Sequence, residues 1–451
     1  MAQEKNYTLI VGMGKTGNAI ADFLNAQGEN IVITDLDASK TNETEIFIKK
    51  GIKAEIGFHN IKSFKNARRI IVSPGVPLTL NELKEARKAG IPITGELDII
   101  SELIDIPILA ITGTNGKTTV TTLLGDMLKA SGLNPFVCGN IGTPIINYLS
   151  NNKKADIIVA EISSFQLDTA NKFQPDIAVL LNIAEDHLDR YKSFDDYAES
   201  KWSIFKNQTK NQYAIINKQI NNIDKKTANI KSEILYFNEQ NNTNGNEYNA
   251  IINSDHINIK GSNIDLTKSK LKGTHNKENI AAASLATLAA KGSINGIKKG
   301  LENFTPLPHR VEFVDSINGI DFYNDSKATN PDAVKRAIEY FDQNILLIMG
   351  GQEKDTDFAC LKTAMGTKIK NLIVMGDAKD KIADTFSNIC KIIHADSMKD
   401  AVTIAYKNGE AGDIILLSPG CASFDMYNSY SQRGFDFINK TRKLKQEGLQ
   451  N

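Results

Sequence analysis

The chain has 451 residues, of which 41% are hydrophobic and 24% are charged, as in an ordinary globular protein. Its 53 basic residues balance 53 acidic ones, so no overall field attracts nucleic acid or an anionic membrane. The opening MAQEKNYTLIV is neither a signal peptide nor a membrane span, and the four scattered cysteines indicate no zinc site or disulfide framework. We expect a cytoplasmic monomer of about three domains, with no nucleic-acid partner and no membrane insertion.

Short apolar runs alternate with helical patterns along most of the chain. The run YTLIVG leads into the helical pattern GNAIADFLNAQG, and NIVITD follows. This strand–helix–strand rhythm predicts a parallel sheet that binds ligands at the carboxyl ends of its strands. A second series begins at IPILAITG, and a third contains NILLIMGG and GDIILLSPG.

Each series can form its own α/β core, so the sequence predicts an α/β protein of three domains. We expect a Rossmann-like parallel sheet over residues 1–96, a central P-loop ATPase-like α/β domain over 97–306, and a Rossmann-like α/β domain over 307–451. Residues 217–250 are rich in Asn and Lys, and we expect loops and an irregular sheet there, with no chemistry attached.

The first predicted strand ends in the glycine loop GMGKTG at residues 12–17. Asp35 ends the next strand, 18 residues after Gly17. Glycines let a pyrophosphate approach the backbone, and an acid at this spacing contacts a ribose hydroxyl. The pattern indicates a nucleotide-bearing ligand, and the alternative is a tight turn that binds nothing.

A second glycine loop, ITGTNGKTT at residues 111–119, follows the apolar run IPILA. The full Walker pattern has a glycine five positions before Gly116, where this chain has Ile111. A glycine turn followed by Lys117 and two threonines still predicts a triphosphate site. Two such loops in one chain predict two different nucleotide-bearing ligands.

Acidic and histidine residues follow the later strands of the second series. Glu161 ends DIIVAE, beside the phosphate loop, where Mg²⁺ is usually held; a helix cap or a surface acid is the alternative. His187 lies between Asp186 and Asp189 and is either a metal ligand or a structural histidine.

In the third series, loops near the strands contain Lys327, Thr329 and Ser423, which could bind a small anionic molecule. Because Asn, Asp and Ser populate turns in any case, ordinary turn chemistry is the alternative. Composition does not separate these two interpretations.

Taken in order, these motifs resemble those of the Mur ligase family. The markers are GTNGKTT, CGNIG, EISSFQL, NIAEDHLDRY, THNKENIAAA, LPHR and NDSKATN, which span nearly the whole chain. Within the family, GMGKTG, SPGVPL and SPGCASFDMYNSYSQRG resemble the members that add D-glutamate to UDP-N-acetylmuramoyl-L-alanine, and the DNPR motif of the ligases that add the third residue is missing. The resemblance implies an ATP-dependent ligase of peptidoglycan precursor synthesis, whose substrates are these two compounds. The first loop would then hold UDP, and no nicotinamide is needed.

The resemblance also implies three sets of binding residues. Those for the UDP substrate are Lys15, Thr16, Asp35, Gly75, Asn140 and His187. Those for ATP are Gly113, Thr114, Asn115, Gly116, Lys117, Thr118, Thr119, Asn276, Asn279, Arg310 and Asp325. Those for glutamate are Lys327, Thr329, Lys354, Ser423, Phe424 and Tyr430.

The implied catalytic residues are Lys117, Glu161, His187 and Lys201. Two Mg²⁺ ions are expected, one held by Thr118 and Glu161 and the other by His187 and a carbamylated Lys201. Without the resemblance, Lys201 in YAESKWSIF would be interpreted as a solvated cation on an amphipathic helix.

Two positions depart from the family pattern: the loop GGQEKDTDF around Lys354 resembles it only loosely, and Tyr430 stands where Phe is expected. The nearest alternatives are a folylpolyglutamate synthetase, whose pattern has no N-terminal glycine loop, and a Mur ligase for another amino acid. A dehydrogenase would leave GTNGKTT unexplained, and a non-enzymatic nucleotide-binding regulator is a further alternative.

Overall fold

A computed structural model describes residues 6–150, 154–239, 249–353 and 356–448. The first of its two compact units comprises Met1–Ile183, Asp195–Lys268 and Glu278–Asn303; the second comprises Ala184–Phe194, Ser269–Lys277 and Phe304–Asn451. Within the described residues the strands form sheets of five, nine and six members, the first two in the first unit and the third in the second. The predicted α/β class, with a parallel sheet at the N-terminus and α/β domains after it, is confirmed.

The first sheet is parallel, with the strand order β3-β2-β1-β4-β5. Its strands are β1 (Thr8–Val11), β2 (Ile31–Asp35), β3 (Lys53–Ile56), β4 (Arg69–Val72) and β5 (Ile93–Thr94). The helices of this region are α1 (Lys15–Ala26), α2 (Thr41–Lys49), α3 (Ile61–Lys65), α4 (Asn81–Lys88) and α5 (Glu96–Leu103). The chain order reverses between β1 and β4, which opens a crevice at their carboxyl ends.

The second sheet has the order β14-β13-β12-β11-β10-β9-β6-β8-β7. Its strands are β6 (Ile108–Thr112), β7 (Pro135–Gly139), β8 (Ile157–Glu161), β9 (Ile177–Leu180), β10 (Tyr213–Asn217), β11 (Glu233–Glu239), β12 (Ala250–Ile252), β13 (His256–Ile259) and β14 (Ser262–Asp265). The helices are α6 (Lys117–Ala130), α7 (Asn147–Ser150), α8 (Ser164–Leu167), α9 (Phe194–Trp202), α10 (Ile223–Thr227), α11 (Thr274–Ala289) and α12 (Ile294–Asn303). Every residue of β6 is buried, as expected for a parallel strand covered on both faces.

The third sheet has the order β15-β16-β20-β17-β18-β19. Its strands are β15 (Glu312–Ile317), β16 (Ile320–Asn324), β17 (Ile345–Gly350), β18 (Ile369–Met375), β19 (Lys391–His394) and β20 (Ile414–Leu417). The helices are α13 (Pro331–Glu339), α14 (Lys362–Lys368), α15 (Lys379–Phe386), α16 (Met398–Asn408) and α17 (Tyr430–Gly448). Because β20 inserts between β16 and β17, the loops after these three strands meet at one edge.

The Asn- and Lys-rich stretch is more regular than the sequence suggested. Strand β11 pairs in parallel with β10 over five residues, and β12, β13 and β14 continue the sheet as an antiparallel meander. Leu235 and Phe237 of β11 are buried, and Ile234 and Tyr236 pack against the core from the other face, which composition alone concealed. Residues 240–248 of this stretch lie outside the described residues.

No helix in the described ranges is long and apolar enough to cross a membrane.

Candidate active site

The glycine loop after β1 borders a cleft of about 440 Å³ in the first unit. Five of the six residues predicted to contact UDP line this cleft, and they come from widely separated positions. They are Lys15, Thr16, Asp35, Gly75 and Asn140. The sixth, His187, belongs to the second unit. The loops after β1 and β4 thus form a site at the reversal of strand order.

The carboxylate of Asp35 is held by three donors at the end of β2. Its Oδ2 accepts hydrogen bonds from the Met13 backbone N–H at 2.6 Å and from Lys40 Nζ at 3.0 Å. Its Oδ1 accepts from the Asp37 backbone N–H at 2.9 Å. Burial raises the pKa of Asp35, but the hydrogen bonds and the Lys40 charge outweigh burial and hold the pKa below its ordinary value. The group is therefore fixed as an anion, which can accept further hydrogen bonds from hydroxyl groups.

The close approach of α1 to the first loop explains the last glycine of the motif. A Cβ atom on Gly17 would lie 1.9 Å from the carbonyl oxygen of Gly12, so that position tolerates no side chain. Ser73 fixes the same carbonyl, because its Oγ donates a hydrogen bond to Gly12 O at 2.8 Å. Sequence reasoning missed Ser73, and also Lys40, His59 and Gln166, which line the cleft without belonging to the glycine motif.

The second glycine loop connects β6 to α6. Gly116 has φ +87°, a left-handed conformation that favours glycine, and a Cβ atom there would lie 2.4 Å from Asn279 Oδ1. The Lys117 ammonium donates to the carbonyl oxygens of Gly113 at 2.7 Å and Thr114 at 2.8 Å. Thr118 and Thr119 are buried in the first turn of the helix. The loop thus places a cation and two hydroxyls at a helix N-terminus, where phosphate binds favourably.

Glu161 ends β8, the neighbour of β6, and is 2% exposed. Its Oε1 accepts a hydrogen bond from Asn140 Nδ2 at 3.3 Å, while its buried Oε2 has no hydrogen-bond partner among the described residues. A buried carboxylate oxygen without a donor is suited to a cation. Asn140 also lines the first cleft, so this hydrogen bond joins the two predicted nucleotide sites.

Lys201 is buried against the second loop, with 1% of its surface exposed. Its Nζ donates to Gly113 O at 2.9 Å, the same carbonyl that Lys117 contacts. The ammonium also lies 4.6 Å from the ring centroid of Tyr197, whose hydroxyl is 3.1 Å from Thr114 Oγ1. The interpretation of Lys201 as a solvated cation is therefore wrong, because α9 packs this face against the loop.

His187 lies in a cavity of about 210 Å³ in the second unit, which Thr329 also lines. Its φ of +57° is unusual for a residue with a side chain. Asp186 accepts a hydrogen bond from the His187 backbone N–H at 2.9 Å through Oδ1, and from Asn330 Nδ2 at 3.1 Å through Oδ2. The segment that contains His187 is thereby tied to the loop that contains Thr329.

Asp325 is buried just after β16. Its Oδ2 accepts from Ser418 Oγ at 2.8 Å, and its Oδ1 accepts from the Val311 backbone N–H at 3.2 Å. Burial raises the pKa of Asp325 to about 7, although Ser418 and the Arg310 charge oppose the shift. The structure thus brings Arg310 and Asp325, both predicted for ATP, into electrostatic contact.

The predicted glutamate residues of the second unit differ in exposure. The Lys327 ammonium lies 5.2 Å from the Tyr430 ring centroid. Ser423 is 2% exposed, whereas its neighbour Phe424 is 67% exposed. Lys354 lies outside the described residues.

The two predicted ATP residues of α11 belong to different units. Asn276, in the second unit, donates from Nδ2 to Lys272 O at 2.8 Å. Asn279, in the first unit, is 6% exposed and lies against Gly116.

Arg433 is a buried residue that sequence reasoning missed. It is 2% exposed and donates to Ser326 Oγ and O at 3.0 and 2.9 Å, and to Cys421 O at 3.0 Å. Burial lowers the pKa of Arg433 to about 10, so the group stays charged near neutral pH. It joins the loops after β16 and β20, which contain Lys327 and Ser423. A single arginine in YSQRGF is no sequence signal for this role.

Three family models match consecutive parts of the chain. The Mur ligase MurD-like N-terminal domain matches residues 6–95, the Mur ligase middle domain 111–287, and the Mur ligase glutamate ligase domain 309–421. These matches contain the first glycine loop, the second glycine loop and the buried Asp325, respectively.

Curated relatives match over nearly the full length. A UDP-N-acetylmuramoylalanine–D-glutamate ligase of Desulfosudis oleivorans is 43% identical, over 98% of this chain and 97% of the relative. An enzyme of the same name from Desulfatibacillum aliphaticivorans is 42% identical, over 96% of this chain and 97% of the relative.

Solved structures share the fold at lower identity. MurF from Acinetobacter baumannii has a TM-score of 0.63 at 16% identity, covering 95% of this chain and 93% of its own. A pseudomurein peptide ligase type C from Methanothermus fervidus has a TM-score of 0.62 at 19% identity, covering 98% and 100%. From the full-length relatives and the three domain matches, the chain belongs to the Mur ligase family of ATP-dependent ligases.

Proposed function

We propose that the chain joins D-glutamate to UDP-N-acetylmuramoyl-L-alanine, with conversion of ATP to ADP and phosphate, in peptidoglycan precursor synthesis. The observation that carries this proposal is the 43% identity, over 98% of the chain, to a ligase named for that reaction. The two glycine loops support it, because the reaction needs one site for UDP and another for ATP. We also propose that the protein acts as a cytoplasmic monomer.

The chemistry answers a physical problem. A carboxylate is a poor acyl donor, since its charge repels an amine and oxide is a poor leaving group. Transfer of the γ-phosphoryl group of ATP gives an acyl phosphate, whose phosphate leaves readily. The amine of glutamate then attacks, and the tetrahedral intermediate collapses to the amide, phosphate and a released proton.

Lys117 would stabilise the phosphoryl group during the first step. Its ammonium at present contacts the carbonyls of Gly113 and Thr114, within reach of the N-terminus of α6. Negative charge develops on the phosphoryl oxygens in the transition state, and a preorganised cation lowers the energy of that state more than that of the bound substrate. Thr118 and Thr119 would add hydroxyl donors from the first helical turn.

The residues near the second loop fit a Mg²⁺ ion. Glu161 offers a buried oxygen without a donor, and the Thr118 hydroxyl is buried in the first turn of α6. No cluster of three or more His, Cys, Asp or Glu side chains suited to a metal occurs in the described ranges, so phosphate and water oxygens would complete the coordination, as Mg²⁺ prefers. A bound ion supplies charge neutralisation at the phosphoryl oxygens. We propose Glu161 and Thr118 as its protein ligands, and His187 as a ligand of a second ion.

We further propose that Lys201 carries a carbamate in the working enzyme. Lys117 and Lys201 both donate to Gly113 O, so two ammonium groups would repel each other there. Burial disfavours the charged form, and the neutral amine can add CO₂ with loss of a proton. The resulting anionic oxygens would attract Lys117 and serve as ligands for the second Mg²⁺ ion.

The second unit would bind the incoming amino acid. Lys327 could pair with a carboxylate of glutamate, and Thr329 and Ser423 could supply hydroxyl donors. Arg433 would keep the two loops in position, because it bonds to the backbone of both. We assign Lys354, Phe424 and Tyr430 to the same substrate on the family resemblance.

Phosphate release tests the proposal. The protein is incubated with ATP, Mg²⁺ and UDP-N-acetylmuramoyl-L-alanine, and with D-glutamate, L-glutamate, D-aspartate or no acceptor. We expect release that depends on the sugar-nucleotide and on D-glutamate, with a product mass that corresponds to one added glutamate. Equal turnover with L-glutamate, or without an acceptor, would contradict the proposal.

A further inference from the structure

The second glycine loop is shorter than a full Walker loop, and this raises the question of what holds its shape. Ile111, at the position of the missing glycine, is part of β6 and pairs with Val179 of β9. The turn between β6 and α6 therefore has only residues 113–116. The segment after β9 is the neighbour of this turn, since the Thr114 N–H bonds to the carbonyl of Asn182.

Asn182, which follows β9, holds this turn through hydrogen bonds. Its Oδ1 accepts from the Asn115 backbone N–H at 2.8 Å, and its Nδ2 donates to Asn115 O at 3.0 Å. Its own backbone carbonyl accepts from the Thr114 N–H at 3.0 Å. The side chain thus pairs with both polar groups of one peptide residue, as a neighbouring strand would. Asn182 is 9% exposed, so water competes little for these bonds.

These bonds determine which groups of the loop face a phosphate. The N–H groups of Thr114 and Asn115 donate hydrogen bonds to Asn182. A phosphate would therefore bind at the first turn of α6, because the N–H groups of a first helical turn have no intrahelical acceptor. A Cβ atom on Gly113 would lie 2.9 Å from Leu181 Cβ, so the loop and the segment after β9 are in close contact. Loss of the Asn182 side chain would release the N–H and carbonyl groups of Asn115, while the backbone bond to Thr114 would remain.

We infer that Asn182 is a positioning residue for ATP, which holds the shortened loop in its phosphate-binding shape. The inference rests on the proposed assignment of this loop to ATP. Asn182 touches no reacting atom in this arrangement; its side chain acts through Asn115.

The test compares Asn182→Ala with Gln208→Ala. Gln208 is a matched control, because it is a buried amide of the same unit with three hydrogen bonds, to Pro175 O, Tyr213 O and Ser232 Oγ. Both changes should lower the melting temperature. Asn182→Ala should raise the KM for ATP about tenfold and leave the KM for the sugar-nucleotide within about twofold, whereas Gln208→Ala should change neither by more than about twofold.

A second variant, Asn182→Asp, keeps the size and the acceptor for the Asn115 N–H. It cannot donate to Asn115 O and adds negative charge near the triphosphate, so its KM for ATP should also rise. ATP-induced thermal stabilisation, measured without the other substrates, should be large for the wild type and small for both variants. Unchanged ATP stabilisation in both variants would overturn the inference. A wild type that binds ATP but does not ligate glutamate would contradict the proposed function and leave Asn182 supported.

Discussion

The two glycine loops of the first unit have the same strand–loop–helix arrangement, but the charged groups beside them differ. Each follows the C-terminal end of a buried parallel strand and leads into a helix, α1 or α6. The first loop lies beside Asp35, whose carboxylate is held by Met13, Asp37 and Lys40. The second has two ammonium groups, of Lys117 and Lys201, on the carbonyl of Gly113.

Glycine spacing thus predicts the geometry of such a loop, whereas nearby charge distinguishes the ligands that we propose for the two loops. A helix N-terminus and open backbone suit phosphate in both cases. A fixed carboxylate adds recognition of hydroxyl groups, as on a ribose. Cations add affinity for the γ-phosphate and for the charge that develops during its transfer. Asn140, which lines the first cleft and donates to Glu161, joins the two sites.

The largest expected effect is at the cation of the second loop. Lys117→Ala should lower kcat by about two to three orders of magnitude, because the lysine acts on charge that develops in the transition state. Lys129→Ala, on the exposed last turn of the same helix, is the control and should stay near wild type. A loss of tenfold or less for Lys117→Ala would show that this lysine only shapes the loop.

Lys201, for which we propose a carbamate, should matter almost as much. We expect Lys201→Ala to lose about a hundredfold or more in rate and to recover in part with added formate, which can occupy the vacated ligand position. Lys206→Ala, at an exposed lysine nearby, should keep its activity. Retention of ¹³C from bicarbonate at Lys201 in the wild type measures the carbamate directly, and a bare amine there would disprove it.

A pair of glycine substitutions tests how tightly the backbone of the first loop is packed at each glycine. Gly17→Ala should lower the free energy of unfolding by about 3 kcal/mol, since its Cβ would lie 1.9 Å from Gly12 O. Gly14→Ala should change it by less than about 0.5 kcal/mol, because φ there is −74° and no atom lies within 4 Å of a Cβ. Urea unfolding of both variants gives the comparison, and equal effects would contradict it.

The acid of the first loop should affect one substrate only. Asp35→Ala should raise the KM for UDP-N-acetylmuramoyl-L-alanine about ten- to a hundredfold and change the KM for ATP by less than about twofold. The control is Asp22→Ala, which removes an exposed ion pair between Asp22, on α1, and Lys50. The reverse pattern for Asp35→Ala would assign the two nucleotides to the opposite loops.

The smallest effect concerns the ion pair of Lys40 with Asp35, at 3.0 Å. Lys40→Ala should raise the KM for the sugar-nucleotide by less than about threefold, because two backbone donors still hold the carboxylate.

The folded pKa of Asp35 lies below its ordinary value of 3.8, so its contribution to stability is present above that pH and is lost as the pH falls through the folded pKa. Without Lys40 this pKa rises, and urea unfolding near pH 7 and again below pH 3.8 should show a smaller acid-side loss from this group.

Much of the fold was predictable because its strands are short apolar runs bounded by glycine, serine or aspartate. The runs that became β1, β6, β17 and β20 are buried strands of parallel sheets, whose apolar character depends on local sequence alone. Strand β11 was harder to predict, since its short apolar run, Ile234 to Phe237, lies in a stretch whose composition is dominated by Asn and Lys.

Candidate site residues could be proposed from the sequence where a motif combines them in one short segment. The residues of the second loop belong to such a segment, and Lys15 and Thr16 to another. Asn182, Arg433 and Ser73 lie inside quoted motifs, but they act through hydrogen bonds to backbone groups far away in the sequence, and the motifs alone do not indicate this role. The local sequence does not distinguish these side chains from other polar ones, because the fold supplies the carbonyl or N–H group to which each one bonds.

The sequence by itself determined the two glycine loops, the α/β class and the family, because local periodicity and ordered motifs need no long-range contact. Tertiary structure alone decided that Lys201, which sequence patterning makes a surface cation, is buried against Gly113. It also decided that Asn182 bonds to Asn115 of the second loop and that Asn140 of the first cleft bonds to Glu161. The physical reason is that burial and hydrogen bonding are properties of neighbours, and these neighbours are about 20 to 90 residues away along the chain.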